Sequence, residues 1–137
     1  MRLSSLADYA VVMMGAAARH CGAGRTSATE LAAETGIPLP TAQKLVSLLT
    51  RAGLLKSVRG AGGGIKLARP SAAISLADII EAIEGPIAMT NCTTHGDCTC
   101  TMAPDCAVKP HWGAVNDALR GALGGVSLAT LSRSASA

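Results

Sequence analysis

Apolar residues near the start of the chain recur at helical spacing. Leu3, Leu6, Ala7, Ala10, Met14, Ala17 and Ala18 share one face of a first amphipathic helix. Ser27 and Glu30 stand at capping-box spacing, so a second helix starts there, carries Leu31, Ala32 and Ala33 and stops at Gly36, with Ile37 closing the turn onto the core. Pro40 suits the first position of a third helix, where its missing N–H costs nothing. On that helix Ala42, Leu45, Val46 and Leu49 face inward, Thr41, Gln43, Lys44 and Ser47 face outward, and Gly53 ends it. Residues 54–58 and 65–69 alternate apolar with polar around Arg59-Gly-Ala-Gly-Gly-Gly64, which predicts a β-hairpin with a flexible basic tip. Ser75 is placed to cap a helix bearing Leu76, Ile79, Ile80 and Ile83 that closes at Gly85-Pro86. From Ile87 to about Asp105 periodicity vanishes; Trp112, Val115, Leu119 and Leu123 then mark a final long helix ending near Gly124-Gly125. Ser127 to Leu131 adds one more turn before a disordered tail.

Two short helices joined by a tight glycine turn form a helix-turn-helix, and a hairpin directly after them is a wing. The pattern predicts a mainly α fold with a small β-hairpin. It divides into a winged helix-turn-helix over residues 1–85, a cysteine-rich loop over 86–106, and a long helix with its tail over 107–137. The glycines are not a dinucleotide fingerprint, because that motif joins a strand to a helix and here a strand and then Pro70 follow. The apolar stripe of the last helix has two possible destinations: a second subunit, which would make it a dimerisation helix, and the chain's own first helix.

With 49% hydrophobic residues but one Trp, one Tyr and no Phe, the core must be built from Ala, Leu, Val, Ile and Met. The same scarcity argues against binding single-stranded nucleic acid by stacking, and leaves duplex binding open. Asp8 interrupts the apolar approach that a signal peptide would need, and no other run nears the roughly 18 apolar residues required to cross a bilayer. A cytoplasmic protein with no membrane partner is expected. Its net charge of +3 is unevenly distributed. Between Thr35 and Ala77 stand Lys44, Arg51, Lys56, Arg59, Lys66 and Arg69 with no Asp or Glu, whereas from Pro86 onward Lys109, Arg120 and Arg133 balance Asp97, Asp105 and Asp117. A phosphate-contacting element leaves such a local imbalance.

Cys92, Cys98, Cys100 and Cys106 lie in one irregular loop, and Cys21 stands apart as a buried apolar residue. In a reducing compartment clustered thiols more often bind metal than pair. Zinc sites usually show paired Cys-x-x-Cys or Cys-x-x-His arms; no Cys-x-x-Cys occurs here, and Cys92 with His95 is a lone Cys-x-x-His spacing without a second arm. The wider spacings favour an iron–sulfur cluster, with zinc second and a redox disulfide third. A small cysteine-dependent redox enzyme is disfavoured, because no Cys-x-x-Cys or paired base accompanies the thiols.

With helix-turn-helix, glycine-rich wing and cysteine loop in that order, the chain resembles the winged-helix iron–sulfur cluster assembly regulators of the Isc and Suf type. The opening Met-Arg-Leu-Ser-Ser-Leu-Ala-Asp-Tyr-Ala, the wing from Ser57 to Arg69, the stretch from Ala77 to Ile87, and Cys106 with Trp112 six residues later are most similar to the Suf-system regulators. The resemblance implies a non-enzymatic repressor of cluster assembly genes, a homodimer that pairs its long C-terminal helices and presents two heads to a DNA operator. It also implies a 2Fe-2S cluster, with 4Fe-4S and zinc as alternatives, and no small-molecule substrate. Cys92, Cys100 and Cys106 fit the ligand pattern, and Cys98 is either a substitute or a bystander. Where some members carry a histidine ligand this chain has Lys109; the fourth ligand is then Asp8 from the first helix of the partner subunit, with His111 second. Thr41, Gln43 and Lys44 are expected at the major groove, Arg51 on phosphate and Arg59 in the minor groove.

Overall fold

The computed structural model describes residues 2–20, 25–59, 64–93 and 101–134. Helix α1, Ser5–Arg19, is capped by Ser4, whose hydroxyl accepts from the Ala7 amide. It buries Ala7, Ala10, Met13, Met14, Ala16 and Ala17. The expected single face is wider than its spacing suggested, because helices on several sides of α1 cover it; Leu3, expected on that face, precedes the helix and is 48% exposed. Small side chains along α1 let its neighbours approach closely, which is how a core without phenylalanine reaches native density.

Helix α2, Ala28–Thr35, begins with the reciprocal capping box of Ser27 and Glu30 and ends at Gly36, left-handed at φ 79°. Helix α3, Leu39–Arg51, places Leu39 first and Pro40 second, one position later than the spacing predicted. The cost is still nil, since the first helical amides have no partner within the helix. Ala42, Leu45 and Leu49 are buried and Val46 packs half-buried against them. Gly53, at φ 80°, turns the chain into strand β1, Leu55–Val58, which pairs antiparallel with β2, Gly64–Leu67, in the register Leu55↔Leu67 and Lys56↔Lys66. Both strands are shorter than the alternation predicted, although the Ala68 amide still reaches the Leu54 carbonyl at 3.0 Å. The expected hairpin tip at Gly60–Gly63 lies outside the described residues. Thr26 acts as a third rung: its amide and carbonyl both bond to Ile65, at 3.2 and 2.6 Å, and tie the hairpin to the start of α2.

Helix α4, Leu76–Glu84, has the cap expected at Ser75, completed by Asp78. Helix α5, Lys109–Gly124, buries only Asn116 among its described side chains, and leaves Val115 45% exposed. Its principal neighbours within the chain are α4 and a 3-10 turn at Asn91–Thr93. Helix α6, Leu128–Ser134, is more than the single turn expected. It folds back onto α1, with Leu76 donating to the Val126 carbonyl and Leu128 to that of Ile74, both at 2.8 Å, and Leu128 fully buried. The tail beyond residue 134 is outside the described residues. No described helix is long and apolar enough to cross a membrane.

Candidate nucleic-acid interface and metal centre

Helix α3 is held by its apolar side against α2, α4 and β1, which leaves its opposite side free. Gln43, Lys44 and Ser47 are exposed there, Thr41 is half-buried at its edge, and Arg51 is exposed at its last turn. Arg59 follows β1 directly and is exposed. Among the described residues Lys44, Arg51, Lys56, Arg59 and Lys66 take part in no ion pair. Arg69 differs from the rest of the basic run: it faces Asp78 at 3.7 Å and donates to the Ala73 carbonyl at 3.4 Å, so it serves the fold.

Lys56 and Lys66 sit directly opposite each other in the hairpin, both exposed. Residues in that relation share a face, and two like charges there repel. An isolated hairpin gains nothing from this arrangement; an anion lying across both lysines would relieve it. The sequence marks both as cations, and only the strand register reveals them as a pair.

The second site is built around the start of α5. The chain leaves α4 and runs along α5, where the Asn116 amide takes hold of it: the Met89 N–H donates to Oδ1 at 2.8 Å and Nδ2 donates to the Ile87 carbonyl at 3.0 Å. Thr90 and Thr93 then close the 3-10 turn, with the Thr93 hydroxyl donating to the Thr90 carbonyl at 2.8 Å. The Thr90 hydroxyl lies 2.9 Å from the Cys92 sulfur. Cys92 borders a cavity of about 350 Å³ together with Lys109, Gly113, Asn116 and Asp117 of α5. Cys106 lies just ahead of the helix, and its carbonyl accepts from the Lys109 amide at 3.4 Å. Both are free thiols and half-buried.

Among the described residues the remaining expected ligands are His111 and Asp8. His111 is exposed in the first turn of α5 and Asp8 is exposed on α1. Cys98 and Cys100, like Cys21, lie outside the described residues. No three His, Cys, Asp or Glu side chains among the described residues come close enough to hold a metal ion. The two described thiols nevertheless fit a thiolate-held group. They are soft donors at the two ends of the loop, and the α5 N-terminus and Lys109 provide positive charge for an anionic assembly, opposed by Asp117 at the cavity and by Asp105 next to Cys106. Near Asp8, Glu84 accepts from the Ser4 amide at 2.9 Å, and that bond holds its carboxyl below the usual range. Glu84 thereby anchors the start of α1.

Asn116 escaped the sequence reading. A polar residue four positions after Trp112 and three before Leu119, inside the apolar stripe, is the signal that marks it.

Residues 3–134 match a family model described as Rrf2, iron-dependent transcriptional regulator. The chain is 32% identical over 131 residues to the HTH-type transcriptional regulator IscR of Escherichia coli, covering 96% of this chain and 80% of that one. Among solved structures it is similar to T. potens IscR, with a TM-score of 0.76 and 31% identity over 98% of this chain and 88% of the other. It is also similar to CymR of B. subtilis, described as the global cysteine regulator, with a TM-score of 0.75 and 30% identity over 97% of both chains. These named relatives are regulators and not enzymes.

Proposed function

Since the chain belongs to the Rrf2 family of DNA-binding transcriptional regulators, we propose that it is a cytoplasmic, homodimeric repressor of iron–sulfur cluster assembly genes that responds to a cluster held on its cysteine loop. The observation that carries this reading is the placement of Cys92 and Cys106. They are free thiols at the start of α5, on an arm clasped to that helix, and α5 packs on α4 of the head. Cys92, Cys106 and Cys100 hold the cluster, Cys98 is available as a substitute, and Asp8 of the partner subunit completes the set, with His111 as the alternative. A 2Fe-2S group supplies reversible one-electron chemistry and sensitivity to iron supply, with 4Fe-4S the next candidate and zinc behind both.

The protein's own part begins at the head. Gln43 and Thr41 reach base edges, Lys44 and Arg51 neutralise phosphates, and Arg59 enters the minor groove beside them. Ordering of the cysteine loop sets the angle between the two heads, and the operator is favoured to the extent that its affinity differs between the two arrangements. Anaerobic purification is expected to yield a brown protein with iron and sulfide in equal amounts. A colourless protein with stoichiometric zinc overturns the cluster reading.

A second reading draws on the likeness to CymR over 97% of both chains: a regulator of the same fold answering to thiol oxidation, or stabilised by zinc, without iron. Metal counting combined with thiol titration separates the two.

A further inference from the structure

Asn116 is the only buried polar side chain of α5 among the described residues, 7% exposed, and both ends of its amide are hydrogen-bonded. Its amide accepts from Met89 and donates to Ile87, so it pairs with the backbone on both sides of Ala88 as a neighbouring strand would. Among the described residues no other hydrogen bond ties residues 87–89 to α5, and the next residues are the threonine-closed turn that presents Cys92. The same side chain borders the Cys92 cavity along one side of α5, with Gly113 three residues before it and Lys109 four before Gly113. A buried amide satisfied at both ends fixes a register, because any slip of the arm leaves a donor and an acceptor unpaired.

We propose that Asn116 is a positioning residue that locks the Cys92 arm to α5 and passes the state of that thiol to the helix. The inference rests on the reading of Cys92 as the sensing thiol, but not on which group the thiol holds. Displacement of Cys92 moves residues 87–93, and the amide transmits that movement to α5. Arg120 of α5 meets Glu81 of α4 at 2.8 Å, next to the head.

The test uses the full chain, reduced and metal-free, with iodoacetamide as the probe and alkylation of each cysteine followed by mass spectrometry. Asn116→Ala is expected to raise the Cys92 rate about tenfold, the effect of freeing a locally hydrogen-bonded arm, and Asn116→Asp, which keeps the acceptor for Met89, by an intermediate factor. Cys106 should stay within about twofold, since its segment makes no bond to Asn116. Hydrogen exchange gives the second readout: alkylating Cys92 should alter exchange in residues 112–119 of the natural chain and leave them unaltered in Asn116→Ala. Equal Cys92 rates in all three proteins overturn the proposal. So does a joint rise at Cys92 and Cys106, which means general loosening, and so does an α5 response that persists in the variant. Iron uptake is measured separately: failure to bind iron counts against the cluster reading, and the alkylation rates still decide the role of Asn116.

Discussion

Reversal of one wing lysine, Lys66→Glu, should stabilise the protein while weakening its grip on DNA. Lys56 and Lys66 are directly cross-strand and exposed, and neither has an ion-pair partner among the described residues. Two unit charges about 6 Å apart in water interact by about 0.7 kcal/mol, and salt near 0.15 M screens part of this. Turning repulsion into attraction therefore gains about 0.5–1 kcal/mol, within the range measured for directly opposed charge pairs. Urea denaturation should register this as a higher midpoint with an unchanged slope. On DNA the sign inverts. Removing one phosphate contact lowers the slope of log affinity against log salt by about 0.9 per subunit, and the new carboxylate adds repulsion, so affinity near 0.1 M salt should fall roughly tenfold. Fluorescence anisotropy with a labelled duplex at several salt concentrations measures both quantities. A variant that is less stable would refute the repulsive pair, and one that binds DNA with the same affinity and salt slope would refute the wing as a phosphate contact.

Three further outcomes follow from the packing. Leu128→Ala should cost about 2–5 kcal/mol in urea denaturation, because that side chain is fully buried where α6 returns to the head; a loss below about 1 kcal/mol would mean that α6 does not dock there. Gly64→Ala should cost about 1–3 kcal/mol, the ordinary penalty for overpacking. A Cβ at Gly64 would collide with the Thr26 carbonyl oxygen, and thermal melts of the variant beside Gly113→Ala, whose Cβ would meet nothing within 4 Å, should move in opposite directions. The third concerns pH. The hydrogen bond from His20, followed by that from Arg19, holds the Glu34 carboxyl below its ordinary value of 4.5. A depressed carboxylate contributes stability that is present above 4.5 and is lost as pH falls through the lowered value. Glu34→Gln should therefore flatten the acid limb of the stability profile; an unaltered acid limb would sink the assignment.

The head was legible because its signals are local. A Ser-x-x-Glu box, a glycine that takes φ 79°, and an alternation of period two each act within a few residues, and the structure places α2, α3 and the hairpin accordingly. Departures come where distant segments intervene. Met13 and Ala16, outside the face that the apolar spacing marks, are buried because helices on several sides cover α1, and α6 is a packed helix because Ile74 and Leu76 offer backbone partners some 50 residues earlier in the chain.

The same distinction separates the two halves of the candidate site. An uninterrupted run of cations is a property of composition, so the sequence alone identifies the basic head; only Arg69, drawn to Asp78, needed the structure to be set apart from the others. The cysteine arm is different in kind. Four thiols in a loop state a preference for soft metals, but what gives Cys92 an effect on the rest of the molecule is an amide 27 residues away from Met89 and 29 from Ile87. No pattern in the loop encodes that bond, and within the helix Asn116 reads as a flaw in an apolar stripe. A buried polar side chain in such a stripe lowers stability unless its partners are supplied, so its presence implies a constraint from elsewhere in the fold. Here that constraint is the backbone leading to Cys92, which makes the apparent flaw in α5 the link between the arm and the helix.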